Sequence, residues 1–545
     1  MTRLVCSIHA SSAAQLEDDV GRARRGGADA VEVRIDGLGG DPSWIAAVLA
    51  QHPEIEFVVT CRPRAEGGLS DDPPAVRLER MRRAAGDNHV CFDFEWADWA
   101  KVAGDSAALG IRGSAGSPAR AEARGSGEGR PPEKRSPEVT PTAAASDRPG
   151  SPRLILSSHR FDGITPDAMG WAGAVHEAHG DVVAKIVWQP HDLCDNIGAA
   201  AAMHAGRGRT SAICLGEDGI ISRVLAPKWG AHASYCALDD SRRTAPGQLA
   251  LEQMVRRYRF KSITPDTRVY GVIGDPVAHS MGPVLFNALF EHHQIDAVYL
   301  PWRVPAGMLR EFLDRFQPDG PFNLGGFSVT LPHKVAACDC VGGVGNRLTG
   351  AVNTITAVDG RWRGRNTDTW AASAALSTVL GADELRNARI DLLGAGGTGR
   401  ALANWFQSVC GQITLFGRDP ARCEAIAAGG CTVKRWEERT RSGADVLINA
   451  TPVGMWPRVD DSPMPIEALG RYAVVFDVIY NPVETRLLRE AKTAGCRTLS
   501  GLEMFLLQAA FQFACWTGVH ADVERVRPIV LAELERQRTG EDAAE

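Results

Sequence analysis

Paired cysteines, an excess of charge of one sign and long apolar runs are all missing from this chain. Its 13 cysteines are few among 545 residues, show no paired metal or redox spacing, and come close together only as Cys338 and Cys340. A disulfide scaffold or zinc module is not built that way, so the thiols are expected to be reduced and mostly buried. His176 and His179 have no acid or thiol at ligand spacing and read as a helix surface pair, so no metal is expected. The 60 basic and 66 acidic residues leave a net charge of −6, with the basic ones dispersed. That excludes the electrostatic footprint of a nucleic-acid or anionic-membrane binder and favours a small-molecule partner. No segment holds the ~18 uninterrupted apolar residues of a spanning helix. Residues 1–10 also lack a basic start and long apolar core, so a cytoplasmic protein is expected.

What is present is a great deal of α/β pattern. Short β-rich runs stand at 4–8, 30–35, 57–60, 90–94, 154–158, 182–187, 211–215 and 233–237, with helical stretches between them. Eight strands alternating with helices are the count of a (β/α)8 barrel, whose functional groups collect at the C-terminal ends of its strands. Residues 104–152 interrupt the pattern with Ala, Gly, Ser, Pro, Arg and Glu. Such a composition buries too little apolar surface to offset its ordering entropy, so a disordered insertion on the barrel rim is expected. One lysine, Lys185, sits inside the otherwise apolar strand VVAKIV. An edge lysine would send its ammonium to water, whereas apolar neighbours would lower its pKa and leave a nucleophilic amine.

A second α/β pattern begins near Arg268, and within it residues 389–406 read strand, glycine turn, helix. Gly394, Gly396 and Gly399 fit G-x-G-x-x-G, with Ala395, Gly397 and Thr398 completing the turn. That is the opening of a Rossmann dinucleotide-binding domain, where backbone approaches the pyrophosphate and the helix N-terminus stabilises its charge. After the next strand come Gly417 and Arg418, then Asp419 and, one turn on, Arg422. Cations there suit the 2′-phosphate of NADP, while Asp419 keeps NAD open.

Seven motifs in this half stand in order: VIGDPVAHSMGP, GFSVTLPHK, GAVNT, GRNTD, INATPVGM, DVIYNPVET and GLEMFLLQA. With them, 268–535 resembles shikimate dehydrogenase. The resemblance implies a substrate domain at 267–376 and 503–535 and a Rossmann NADP domain at 377–502. It also implies that Lys334 and Asp368 face each other across the substrate, Lys334 as the acid. Thr330, Asn353 and Gln508 then meet the ring hydroxyls, Ser280 the carboxylate, and Asn449, Thr451 and Gly501 the cofactor. A second serine of the family is here Gly282, a change expected to remove a donor and to open space for the extra hydroxyl of quinate.

The N-terminal half carries VEVRID, TCRPRAEGG, DFE, SSHRFDGITP, DVVAKI, ISR and APGQ at its strand ends. Apart from the insertion, it resembles type I 3-dehydroquinate dehydratase, which implies a barrel over 1–260. In that family Lys185 would form a Schiff base, His159 would move the proton and Glu66 would orient His159. Arg223 and Arg62 would be candidates for the substrate carboxylate, with Ser7, Glu32, Arg34, Thr244 and Gln248 around the ring. Thr244 stands where the family commonly has serine. Together the resemblances imply a bifunctional enzyme whose small-molecule substrates are 3-dehydroquinate and 3-dehydroshikimate. The alternatives are a fusion working catabolically on quinate and a non-catalytic, metabolite-sensing regulator. The regulator should have lost catalytic residues, and all five are in place.

Overall fold

A computed structural model describes residues 1–102, 153–163, 165–342, 349–410, 412–427 and 430–539. The insertion expected at 104–152 lies outside them. By contacts the chain divides into two units. One comprises Met1–Gln189, Ala201–Ile213 and Gly230–Leu238; the other comprises Pro190–Ala200, Cys214–Trp229 and Asp239–Glu545.

The eight expected barrel strands form: β1 (Arg3–His9), β2 (Ala30–Arg34), β3 (Glu56–Thr60), β4 (Val90–Glu95), β5 (Arg153–Arg160), β6 (Val183–Trp188), β7 (Thr210–Cys214) and β8 (Ala233–Ala237). Their order is β7-β6-β5-β4-β3-β2-β1-β8, so each of β1 to β7 lies beside its neighbour in sequence and β8 returns to β1. A parallel sheet covered on both faces needs near-continuous apolar strands. Accordingly β2, β6, β7 and β8 are buried along their whole length. No β7–β8 ladder forms among the described residues. The seam is joined instead by the Ser211 hydroxyl, which donates to Ala233 O and accepts from Ala233 N, and by His232 N donating to Thr210 O.

Two further sheets follow. The five-stranded one has the order β10-β9-β11-β12-β13, from β9 (Arg268–Gly274), β10 (Ala297–Arg303), β11 (Leu324–Val329), β12 (Thr354–Val358) and β13 (Arg361–Arg365). The six-stranded one is parallel, in the order β16-β15-β14-β17-β18-β19. Its strands are β14 (Ile390–Leu393), β15 (Ile413–Gly417), β16 (Thr432–Arg435), β17 (Val446–Asn449), β18 (Val474–Asp477) and β19 (Arg497–Leu499). That doubly wound order reverses beside β14, the crevice where such sheets bind ligands. The alanine-rich helix Asp368–Leu380 buries Ala371, Ala372 and Ala375 in the same core as Leu392 of β14 and Met504 of the helix Gly501–Thr517. Small side chains permit that close packing. Gly381, at φ +81°, ends the first of these helices. The expected join at 376/377 falls inside it.

Candidate active sites

Strand register assembles the first site. Lys185 of β6 pairs with Ser157 of β5, and Ser157 in turn pairs with Glu95 of β4. Alternation places Asp93 on the face of Glu95 and His159 on the face of Ser157. Lys185 is 4 % exposed. Its Nζ donates to Asp93 Oδ2 at 2.7 Å, lies 3.8 Å from Glu32 Oε1, and stands 3.8 Å from the centre of the Tyr235 ring. The expectation of apolar neighbours is therefore corrected. β6 itself is apolar, but β4 and β2, which are not its neighbours in the sheet, send Asp93 and Glu32 to the lysine.

Those carboxylates are in turn fully engaged. Asp93 accepts from Ser157 Oγ at 2.6 Å and pairs with Arg62 Nη2 at 2.9 Å. Burial alone would push its pKa up, but the Arg62 and Lys185 charges outweigh burial and hold the carboxyl well below the usual range. Glu32 accepts from Ser7 Oγ at 2.6 Å and Thr60 Oγ1 at 2.9 Å. It too is held low against its burial, by Lys185 and then Arg34. Arg62 Nη1 bonds Glu95 at 2.7 Å and Ser157 at 2.6 Å, so both terminal nitrogens serve protein groups. Glu95 also bonds the fully buried Arg77. Arg34 makes a bidentate pair with Asp36, at 2.7 and 2.9 Å.

Beside this cluster Glu66 Oε2 accepts from His159 N at 2.9 Å and stands 3.1 Å from His159 Nδ1. Burial pushes the Glu66 carboxyl up to about 7. Burial, then the Arg62 and Lys185 charges, hold His159 well below the usual imidazole range. Glu66 lies on the single turn Arg64–Glu66, closed by Gly67 at φ +78°, where a Cβ would come within 2.6 Å of the Phe161 ring. On the second unit Gln248 Oε1 accepts from Thr244 N at 2.7 Å, Thr244 Oγ1 at 3.1 Å and Ala245 N at 3.2 Å. Arg223, 2 % exposed, donates from Nη2 to Pro246 O of that turn.

The second site centres on Lys334, whose Nζ donates to Asp368 Oδ2 at 2.7 Å and to Thr398 Oγ1 at 3.1 Å. Asn353 Nδ2 donates to the other oxygen of Asp368 at 2.7 Å. Asn353 Oδ1 accepts from Thr367 N and Thr354 Oγ1. The three glycines of the nucleotide turn do three different jobs. Gly394 holds φ +108°, Gly396 has nothing within 4 Å of a built Cβ, and at Gly399 a Cβ would lie 2.0 Å from Gly394 O. A positive φ, an open approach and a close helix contact are what a pyrophosphate cradle requires, so a dinucleotide fits. A Cβ at Gly397 would lie 3.0 Å from Lys334 Cβ, so the lysine stem rests on this turn. Asp419 accepts from Arg422 N at 3.2 Å and pairs with Arg422 Nε at 3.2 Å on the surface, and Arg418, just after β15, is exposed as well.

One expectation in this half changes. The space beside Gly282 is not open: a Cβ there would meet Tyr299 Cε1 at 2.9 Å, its hydroxyl at 3.1 Å and Ser280 Oγ at 3.3 Å. Tyr299 stacks on Phe286 with centroids 4.6 Å apart, so the ring cannot easily yield. Gln508 Nε2 donates to Phe505 O of its own helix, whereas Gln512, one turn on, donates to Asn353 O and Thr354 Oγ1. Thr330 contributes its backbone N–H to Ile273 O, and its methyl would meet a Cβ at Gly274 at 2.4 Å. The sequence reasoning missed Asp93, Glu95, Ser157, Tyr235 and Gln512. Two acids at period two inside the strand VCFDFE were the available signal for the first pair.

Among the described residues no metal-ligand cluster occurs, and no helix is long and apolar enough to cross a membrane. The family model for type I 3-dehydroquinase matches residues 4–105 and 134–265. Those for the shikimate dehydrogenase substrate binding domain and the shikimate 5′-dehydrogenase C-terminal domain match 272–355 and 501–531. A chloroplastic bifunctional 3-dehydroquinate dehydratase/shikimate dehydrogenase of Arabidopsis thaliana is 30 % identical over 96 % of this chain and 83 % of its own length. An NADP(+) shikimate dehydrogenase of Bacillus anthracis is 38 % identical over 49 % of this chain and 99 % of its own. Among solved structures, a Thermus thermophilus shikimate 5-dehydrogenase in complex with NADP(H) and shikimate matches 49 % of this chain and 99 % of its own, at 32 % identity and TM-score 0.44.

Proposed function

Because the chain belongs to the bifunctional 3-dehydroquinate dehydratase/shikimate dehydrogenase family, we propose that its two lysine–carboxylate pairs are the working centres of the two reactions. The enzyme dehydrates 3-dehydroquinate to 3-dehydroshikimate and reduces that product to shikimate with NADPH. The observation that carries the residue assignment is that Lys185 and Lys334 each hold a carboxylate at 2.7 Å, in separate clusters.

In the barrel, the Lys185 amine adds to the substrate ketone and, with loss of water, forms an iminium. Asp93, kept ionised by Arg62, is the counter-ion first of the ammonium and then of the iminium. The iminium draws electrons from the neighbouring C–H bond, and neutral His159 takes that proton. The electron pair then expels the hydroxyl, which leaves as water with the proton from His159. Hydrolysis of the C=N bond frees Lys185. With both terminal nitrogens of Arg62 engaged, the carboxylate falls to Arg223. Ser7, Glu32, Arg34, Thr244 and Gln248 serve the ring hydroxyls.

At the other centre Lys334 gives its proton to the developing alkoxide while Asp368 and Asn353 fix its position. NADPH, when bound, would supply the hydride. Residues 394–399, Arg418, Asn449, Thr451 and Gly501 hold it, with Arg418 on the 2′-phosphate. Ser280, Thr330 and Gln508 complete the substrate contacts. The dehydratase occupies 1–260, the substrate half 267–376 with 503–535, and the nucleotide half 377–502. A quinate-directed reading rested on space at Gly282, and Tyr299 takes that space.

Borohydride added with 3-dehydroquinate tests the assignment. It should reduce the iminium and leave a permanent adduct on Lys185, whereas an adduct on another lysine would sink it.

A further inference from the structure

Asp477, the last residue of β18, is the most deeply placed acid of the nucleotide half that no step above uses. It is fully buried, and among the described residues no ion pair partners it. Burial pushes its carboxyl up to about 7. A buried acid without a cation destabilises a fold unless hydrogen bonds satisfy it, and here they come from three directions. Oδ1 accepts from Asn449 Nδ2 at 3.0 Å and from Ile479 N at 3.1 Å, and Oδ2 accepts from Thr485 Oγ1 at 2.7 Å.

Two of these bonds lead toward the proposed dinucleotide site. Asn449, also fully buried, turns its Oδ1 to Thr451 N at 3.0 Å and Thr451 Oγ1 at 2.7 Å, and Val453 N donates back to Thr451 Oγ1 at 3.2 Å. The turn so fixed abuts the first glycine of the cradle, for a Cβ at Gly394 would meet Ala450 O at 2.8 Å and Thr451 Cγ2 at 3.0 Å. The Ile479 bond fixes the segment against Gly501, where a Cβ would lie 2.4 Å from Val478 O and Ile479 O.

We propose that Asp477 is a positioning residue of the dehydrogenase: its carboxyl sets the Asn449–Val453 turn and the Val478–Ile479 segment at the spacing that receives the dinucleotide. The proposal rests on the assignment of Asn449, Thr451 and Gly501 to the cofactor.

The test is steady-state kinetics of both reactions on the full chain carrying Asp477→Asn, with Asp477→Glu as the conservative variant and Thr451→Ala as the control for the cofactor assignment. Asp477→Asn should raise KM for NADPH by about five- to ten-fold, roughly the loss of one hydrogen bond's hold on the turn. KM for 3-dehydroshikimate and the dehydratase rate should stay within two-fold, and Asp477→Glu should recover part of the loss. Should Asp477→Asn fail to fold, Thr485→Val removes one of its three donors and should raise KM for NADPH in the same direction. An unchanged KM for NADPH, or an equal rise in KM for both substrates, overturns the proposal. If Thr451→Ala raises KM for NADPH while Asp477→Asn does not, only the positioning role is lost. If neither does, the cofactor assignment falls with it.

Discussion

At the scale of single residues, Glu66 is the group that should control the acid side of dehydration. His159 is held well below the usual imidazole range and is uncharged near neutrality, whereas burial pushes the Glu66 carboxyl up to about 7. When ionised, Glu66 accepts a hydrogen bond from Nδ1–H and leaves Nε2 free as the base; when protonated, it stops doing so. Dehydratase kcat/KM should therefore fall as pH drops through about 7, and Glu66→Gln should lower the plateau and abolish that limb. A parent profile flat between about pH 6 and 8 would remove Glu66 from this role. Gly282→Ser makes a second check. The serine Cβ would press on Tyr299 at 2.9 Å, and overpacking of a rigid core costs about 1–3 kcal/mol. Thermal unfolding should move to lower temperature, and kcat/KM for shikimate should fall with no gain over quinate. An unmoved Tm with a sharper preference for shikimate would mean that Tyr299 swings aside. Position 282 also marks a limit of legibility, since the side chain that fills the gap comes from β10, seventeen residues away, and no local pattern announces it.

At the scale of elements, β14, its glycine turn and the following helix were legible because each glycine answers a separate local demand of the backbone. The acids around Lys185 were not. A lysine in VVAKIV looks apolar in its own strand, and its true surroundings depend on how β2 and β4 lie in register with β6 across the barrel. The cations after β15 were legible as residue types but not as partners. Asp419 caps its helix and pairs with Arg422, and in the proposed reading it is Arg418 that meets the 2′-phosphate. Arg418→Ala should reduce the preference for NADPH over NADH by about ten-fold, the effect of one charge-assisted hydrogen bond, and Arg422→Ala should do much less. Ratios of kcat/KM for the two cofactors decide this, and equal losses would mean that both arginines reach the phosphate.

At the scale of the whole molecule, two lysines in separate clusters imply two reactions that fail separately. Lys185→Ala should end dehydration and borohydride trapping while leaving shikimate oxidation intact. Lys334→Ala should lower oxidation by ~10²–10⁴-fold, the usual share of a general acid, and leave dehydration intact. Damage to both activities by either change would argue against independent centres. The overall organisation was legible because eight strands and the nucleotide fold each repeat a short-range pattern, whereas the way the barrel closes was not. Between β7 and β8 a serine hydroxyl and one backbone bond stand in for a ladder. A wall with one thin line breathes there first. Amide hydrogens of β7 and β8 should exchange with deuterated water sooner than those of β2 to β5, so the eight-stranded ring would open as a sheet along that line before it unfolds.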